Sequence, residues 1–157
     1  MKRLVPLLGA ALTFLLAIGC AGQQQLPTEL EIPLTPSKGY SGGAQGKAVI
    51  NTVSGTEIKF HIEGLDPNGL YTVFLVNPKS QMFQGVGPAP YVLTVDPDGN
   101  VDITSTMTKD IYKKFVLLAI YSNPGGKPIE NPVGVKTTLG PLVKQQLPTM
   151  ILEGKLR

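Results

Sequence analysis

Beyond residue 46 the chain is broken so often by turn residues that it has room for short strands and little room for helices. Lys47–Val53 closes at Ser54-Gly55-Thr56. Glu57–Glu63 then alternates: Ile58, Phe60 and Ile62 share one side, and Glu57, Lys59, His61 and Glu63 the other. That is the period of a strand with one face in a core and one in water. Asp66-Pro67-Asn68-Gly69 supplies a turn, and Leu70–Val76 is apolar on both faces, as a central strand must be. A long loop covers Asn77–Pro90. Tyr91–Val95 and Val101–Met107 flank Asp96-Pro97-Asp98-Gly99-Asn100, a hairpin signature. Thr108–Lys113 predicts one helical turn with Asp110 near its start. Phe115–Tyr121 is again apolar on both faces, Asn123-Pro124-Gly125-Gly126 closes it, and Val133–Leu139 reads as a further strand. About six or seven strands with no helix between them predict an all-β, antiparallel β-sandwich over residues 46–141.

The first twenty residues have a different character. Lys2 and Arg3 precede an apolar run, Leu4–Ile18, which ends at Ala17-Ile18-Gly19-Cys20. A run of about 15 residues is short of the roughly 20 needed to cross a bilayer but suits an export signal. The tetrad resembles a bacterial lipobox, although Ala17 stands where that motif more often has leucine. The resemblance implies a lipoprotein signal peptide over 1–19 and a mature chain that begins at an acylated Cys20. Ala21 replaces the aspartate that usually retains lipoproteins at the inner membrane, so in a two-membrane bacterium the outer membrane is favoured. A plain secretory signal is the alternative.

Residues 20–45 then read as a lipidated flexible tether, rich in Gln, Gly and Pro, with a mean span of about 28 Å. Within it Leu30, Ile32 and Leu34 alternate with Glu29 and Glu31, the pattern of a strand that could add to a sheet edge. One pentapeptide occurs twice, as Gln24-Gln25-Leu26-Pro27-Thr28 and Gln145-Gln146-Leu147-Pro148-Thr149. Each copy precedes a short apolar stretch, Leu30–Leu34 or Met150–Leu152. The expectation is two similar edge strands flanking the sandwich, with 142–157 an edge strand or tail. Pairing between chains through those strands is the alternative, open only if they are left uncovered.

Removing Lys2 and Arg3 takes the basic count from 14 to 12, against 11 acidic residues, a net charge near +1. No basic block survives, which excludes a nucleic-acid footprint. Cys20 is the sole cysteine, so no disulfide forms within the chain. His61 is the sole histidine, which favours a plain surface residue over a transition-metal ligand and weakens a Ser-His-Asp triad, since no other histidine could serve as its base. Glu57 and Glu63, on one strand, stand roughly 20 Å apart, beyond the separation of glycosidase carboxylates. Asp96, Asp98, Asn100 and Asp102 place oxygens at alternate positions like the start of a calcium loop. However, glycine falls fourth instead of sixth and no glutamate stands twelfth, so turn chemistry is preferred and calcium is the weaker alternative. Gly42–Lys47 misses both the first glycine and the Ser or Thr of a phosphate loop. No cofactor is expected. Met82 and Phe83, between Gln81 and Gln84 in the long loop, are expected to fold back and plug one end of the sandwich, as large apolar residues gain by burial; they are also the best interaction candidates, the alternative reading.

Gly64-Leu65-Asp66-Pro67-Asn68-Gly69-Leu70-Tyr71, followed by Val73, Leu75 and Val76, resembles the extracytoplasmic domain of anti-sigma-K-type regulators. Asp98-Gly99 and Gly125-Gly126-Lys127-Pro128 continue the likeness, which covers residues 57–135. It implies an immunoglobulin-like or superoxide-dismutase-like sandwich. Anti-sigma activity does not carry over, since the sigma-binding region and transmembrane helix of those regulators have no counterpart here. Nor does dismutase activity, since Val73-Phe74-Leu75-Val76 stands where the metal histidines belong. The expectation is a lipid-anchored, non-catalytic module of the bacterial envelope that presents its sandwich to an envelope protein partner, in a binding, structural or accessory role. The rival is an exported hydrolase or ligand-binding enzyme whose site assembles from scattered Asp, Glu, Ser and Tyr.

Overall fold

The alternation of Glu57–Glu63 is realised as strand β3, whose Ile58, Phe60 and Ile62 are buried while Lys59, His61 and Glu63 face solvent. The computed structural model describes residues 27–130, 132 and 148–157. The signal at 1–19, Cys20, the start of the tether and the strand expected at 133–139 lie outside the described residues.

The strand before β3 is β2, Gln45–Asn51, and before that runs β1, Glu29–Pro36. After β3 come β4 (Tyr71–Asn77), β5 (Met82–Gly85), β6 (Val92–Leu93) and β7 (Val101–Thr106). A 3₁₀ turn at Ile111–Lys114 precedes β8, Leu117–Ser122, and β9, Thr149–Lys155. The expected helical turn is therefore present but starts three residues later. Asp110 caps nothing with its side chain and instead sits 2.9 Å from Lys113.

All pairings are antiparallel, in the order β5-β4-β8-β9-β1-β2-β3-β7, with β6 beside β4. The strands thus form one continuous curled sheet. β1 holds it together by changing partners: Glu29–Leu34 pair with β2, and Thr35 and Pro36 pair with β9. At the far ends of the curl, the Gly87 N–H donates to the Thr106 carbonyl at 2.9 Å, so the chain after β5 reaches back to β7.

Several expectations change. The segment expected as a tether to residue 45 contributes β1 from Glu29 onward. Neither β1 nor β9 is an edge strand: both lie inside the sheet and pair with each other. The two pentapeptide copies thus lead into neighbouring interior strands, which meet through Thr35 opposite Glu153 and Pro36 opposite Leu152. The 96–100 turn forms, with the Asp96 N–H donating to the Asn100 carbonyl at 2.8 Å. Its flanks diverge, however, because β6 pairs with β4 and β7 with β3. The long loop after Asn77 contains a strand of its own, β5.

The curl encloses the main core, which includes Ile32, Leu34, Ile50, Phe60, Val73, Leu75, Leu118, Ile120 and Leu152. Each such side chain contributes about 1.5–3 kcal/mol when fully buried. A second, smaller core lies outside the curl, on the other face of β4 and β8: Phe74, Val76, Ala119 and Tyr121, covered by Ile129. Buried Asn123 holds that cover. Its Nδ2 donates to Thr72 Oγ1 at 3.1 Å and to the Tyr121 carbonyl at 3.1 Å, and its Oδ1 accepts the Ile129 N–H at 3.0 Å.

The β9–β1 junction needs a residue with no side chain at position 154. A Cβ there would lie 2.5 Å from Ile32 Cγ2 and 2.8 Å from the Pro33 carbonyl oxygen, closer than real Cβ contacts allow. Gly154→Ala is therefore expected to cost roughly 1–3 kcal/mol in chemical denaturation, as overpacking does. Gly43→Ala, where a Cβ meets nothing within 4 Å, should change stability by less than about 0.5 kcal/mol.

Candidate functional site

The outer face of the β1-β2-β3-β7 half carries a row of polar side chains set by the strand register. Pro33 opposes Lys47, Lys47 opposes His61, and His61 opposes Asp102. Because directly opposed residues share a face, these four line up across the sheet. Lys47 Nζ lies 2.8 Å from Glu31 Oε2, and His61 Nδ1 lies 3.2 Å from Asp102 Oδ1. Gln45 Nε2 donates to Glu63 Oε1 at 3.0 Å. Together with the 96–100 turn they border an open groove of about 860 Å³. All of these pairs are substantially solvent-exposed, so each contributes at most about 1 kcal/mol to stability.

The four residues of the calcium alternative do not converge. Asp96 Oδ1 accepts the N–H groups of Asp98 at 2.9 Å and Asn100 at 2.8 Å, which commits it to the turn. Gly99 takes φ +84°, the left-handed conformation that the turn requires. Asp102 faces His61 instead. Among the described residues no group of three or more His, Cys, Asp and Glu could hold a metal ion.

The second candidate surface is apolar. Among the described residues the large apolar side chains left exposed are Val53 (74 %), Met82 (45 %), Val92 (39 %) and Phe83 (38 %). Met82 and Phe83 lie on β5 and Val92 on β6, two short strands end to end along one side of β4. Met82 and Phe83 do not plug an end of the curl. Phe83 opposes Val76, and its ring meets Phe74 edge-on with centroids 6.1 Å apart. Phe74 also receives Tyr91 at 5.5 Å and Tyr121 at 6.1 Å, both edge-to-face, so Phe83 is the exposed rim of an aromatic cluster. Sequence reasoning singled out Met82 and Phe83, though as a plug first and a contact surface second, and did not single out Phe74, Tyr91, Tyr121 or Asn123. The available signal was that β4 and β8 are apolar on both faces, which demands a cover on the outer one.

Burial pushes the Tyr121 hydroxyl up to about 12, helped by the nearby Glu153 carboxylate. Burial likewise raises Tyr71, opposed by the hydrogen bond that its hydroxyl accepts from the Asp66 N–H at 3.0 Å.

Comparison of the chain with protein-family models, with characterised proteins and with solved structures finds no match to any of them. The fold and these two surfaces are what the molecule itself offers.

The Tyr121 shift carries a pH dependence. Its folded value lies above the ordinary 10.0, so the neutral ring's contribution is complete below pH 10 and is lost as pH rises towards 12. Denaturation curves should show stability falling by about 2–3 kcal/mol across that interval, with Tyr121→Phe flattening the fall.

Proposed function

We propose that the chain is a lipid-anchored, non-catalytic module of the bacterial envelope that binds a protein partner through the open side formed by β5 and β6. The observation that carries this reading is the exposure of Met82, Phe83 and Val92 on one side of β4, continuous with the aromatic cluster around Phe74. Interface centres favour Phe, Tyr and Met, and rings already braced edge-to-face lose little freedom on binding. β5 and β6 are also short strands that leave backbone groups for a partner to pair with.

The lipid anchor rests on the first twenty residues, where cations, an apolar run and Ala17-Ile18-Gly19-Cys20 follow one another as an export signal requires. On this reading Cys20 carries the acyl chains and the outer membrane holds the protein where two membranes exist. On this reading the curl's two halves, bridged by β1, would correspond to the two layers of an immunoglobulin-like or superoxide-dismutase-like sandwich. The likeness to the extracytoplasmic domain of anti-sigma-K-type regulators agrees with such a module.

One observation favours a second reading, an exported hydrolase or ligand-binding enzyme. The groove beside β7 sets His61 against Asp102 at 3.2 Å. Under that reading His61→Gln abolishes an activity or a ligand-induced shift in melting temperature and leaves partner capture intact.

Photocrosslinking in the native envelope decides between them. Met82→Ser combined with Phe83→Ser should reduce partner capture at least ten-fold while the melting temperature moves by only a few degrees. Undiminished capture by a stably folded double variant contradicts the β5–β6 reading.

A further inference from the structure

The strand register gives the curl two ends of opposite character. Glu29 opposes Asn51, Ile50 opposes Ile58, Glu57 opposes Thr106, Val76 opposes Leu117, and Leu117 opposes Lys155. The start of β1, the β2–β3 turn, the β4–β5 turn, the 107–116 segment and residues 155–157 therefore share one end. That end carries Lys79, Lys109, Lys113, Lys114, Lys155 and Arg157, all exposed. Among the described side chains of that end, three carboxylates stand against these six cations, Glu29, Glu57 and Asp110. Two of the three are engaged locally, Asp110 at 2.9 Å from Lys113 and Glu57 at 3.6 Å from Lys59. Among the described residues, the opposite end carries Glu63, Asp66, Asp96 and Asp98 against Lys38 and Lys127.

Two further features mark the basic end. Val53, the most exposed large apolar side chain among the described residues, sits at the tip of the β2–β3 turn. Its neighbour Thr52 donates its N–H to the Thr28 carbonyl at 2.9 Å, so this tip adjoins the point where the chain enters the domain. From Cys20 to Glu29 is nine residues (29 minus 20), a reach of at most about 32 Å. The acidic end stands a strand length further away, roughly 25 Å.

We propose that the basic end rests on the bilayer that holds the chain's own anchor. Lys109, Lys114, Lys155 and Arg157 meet anionic headgroups, and Val53 enters the headgroup–acyl boundary. This proposal rests on acylation at Cys20 for its orientation. Charge complementarity commits it to anionic lipid, since a cation near such a surface strengthens binding about five-fold, and salt weakens it. Docked this way, the domain stands upright with the β5–β6 side facing laterally, open to a partner at the membrane surface.

The test uses the full chain, exported and purified from membranes, with its intact mass read for acylation at Cys20. It is placed in nanodiscs of phosphatidylcholine alone, or with roughly a third phosphatidylglycerol, and followed by hydrogen exchange. Amides of 52–56 and 107–114 should exchange several-fold more slowly in the anionic discs, and those of 96–100 equally in both. Lys109→Ala with Lys114→Ala, or high salt, should remove the contrast. An acylated protein showing no contrast overturns the proposal and leaves the anchor standing. An unacylated chain overturns the anchor instead. The parent and the double variant are then compared by sedimentation with the same anionic vesicles. A salt-sensitive loss of about five-fold per lysine supports the basic end, and equal binding overturns it.

Discussion

The structure depends on the junction between its two terminal strands. β9 enters the sheet between β8 and β1, and β1 passes the ladder on to β2. Without that junction the β5-β4-β8 and β2-β3-β7 groups would be separate sheets, each with a wide apolar face open to water. With it, Ile32 and Leu34 of β1 and Leu152 of β9 sit fully buried at the middle of the main core. The junction is short in register, so local features reinforce it. The Ser37 N–H donates to the Ile151 carbonyl at 2.8 Å, the Ser37 hydroxyl donates to the Met150 carbonyl, and Gly154 lets the strands approach. Pro33 and Pro36 lack donors, and this is tolerable where the ladder changes partners.

A curled sheet with a filled interior would ordinarily show water a polar outer face. The β1-β2-β3-β7 half does so, with its crossed rows of Glu, Lys, His and Asp. The β4–β8 half does not, and that asymmetry gives the molecule its functional interest. Part of its outer apolar face is covered by the loop that Asn123 pins, and the remainder ends in Phe83, Met82 and Val92. Burial of the loop side and exposure of the β5 side are two treatments of one problem. A second apolar face must be covered by the chain itself or by something else. The proposed seating of the basic end fits the same picture, since a domain tethered to a bilayer and standing on it would present a constant side to whatever it meets.

Much of this was legible from residue patterns. The alternation in β3 and the two-faced character of β4 and β8 each predicted burial correctly, because side-chain period is a local property. Partner choice is not local. Leu30, Ile32 and Leu34 revealed a strand, and alternation alone could not place it inside the sheet instead of at its edge. Asp96-Pro97-Asp98-Gly99-Asn100 correctly predicted a chain reversal. Turn chemistry governs five residues, though, and the flanking strands went to β4 and β3 under the pull of larger apolar surfaces. Met82 and Phe83 were identifiable by their isolation among polar neighbours. Asn123 was not, since a turn asparagine and a buried hydrogen-bond hub look the same in sequence.

The central claim is that the terminal strands are integral to the folded sheet. Native-state hydrogen exchange at the β1–β9 junction tests it most directly. The amides of Ser37 and of Ile151–Glu153 should exchange only through global unfolding, with an opening free energy equal to that of β3 and β8. Exchange of these amides at the rate of a frayed terminus, while β3 and β8 stay protected, would contradict the account.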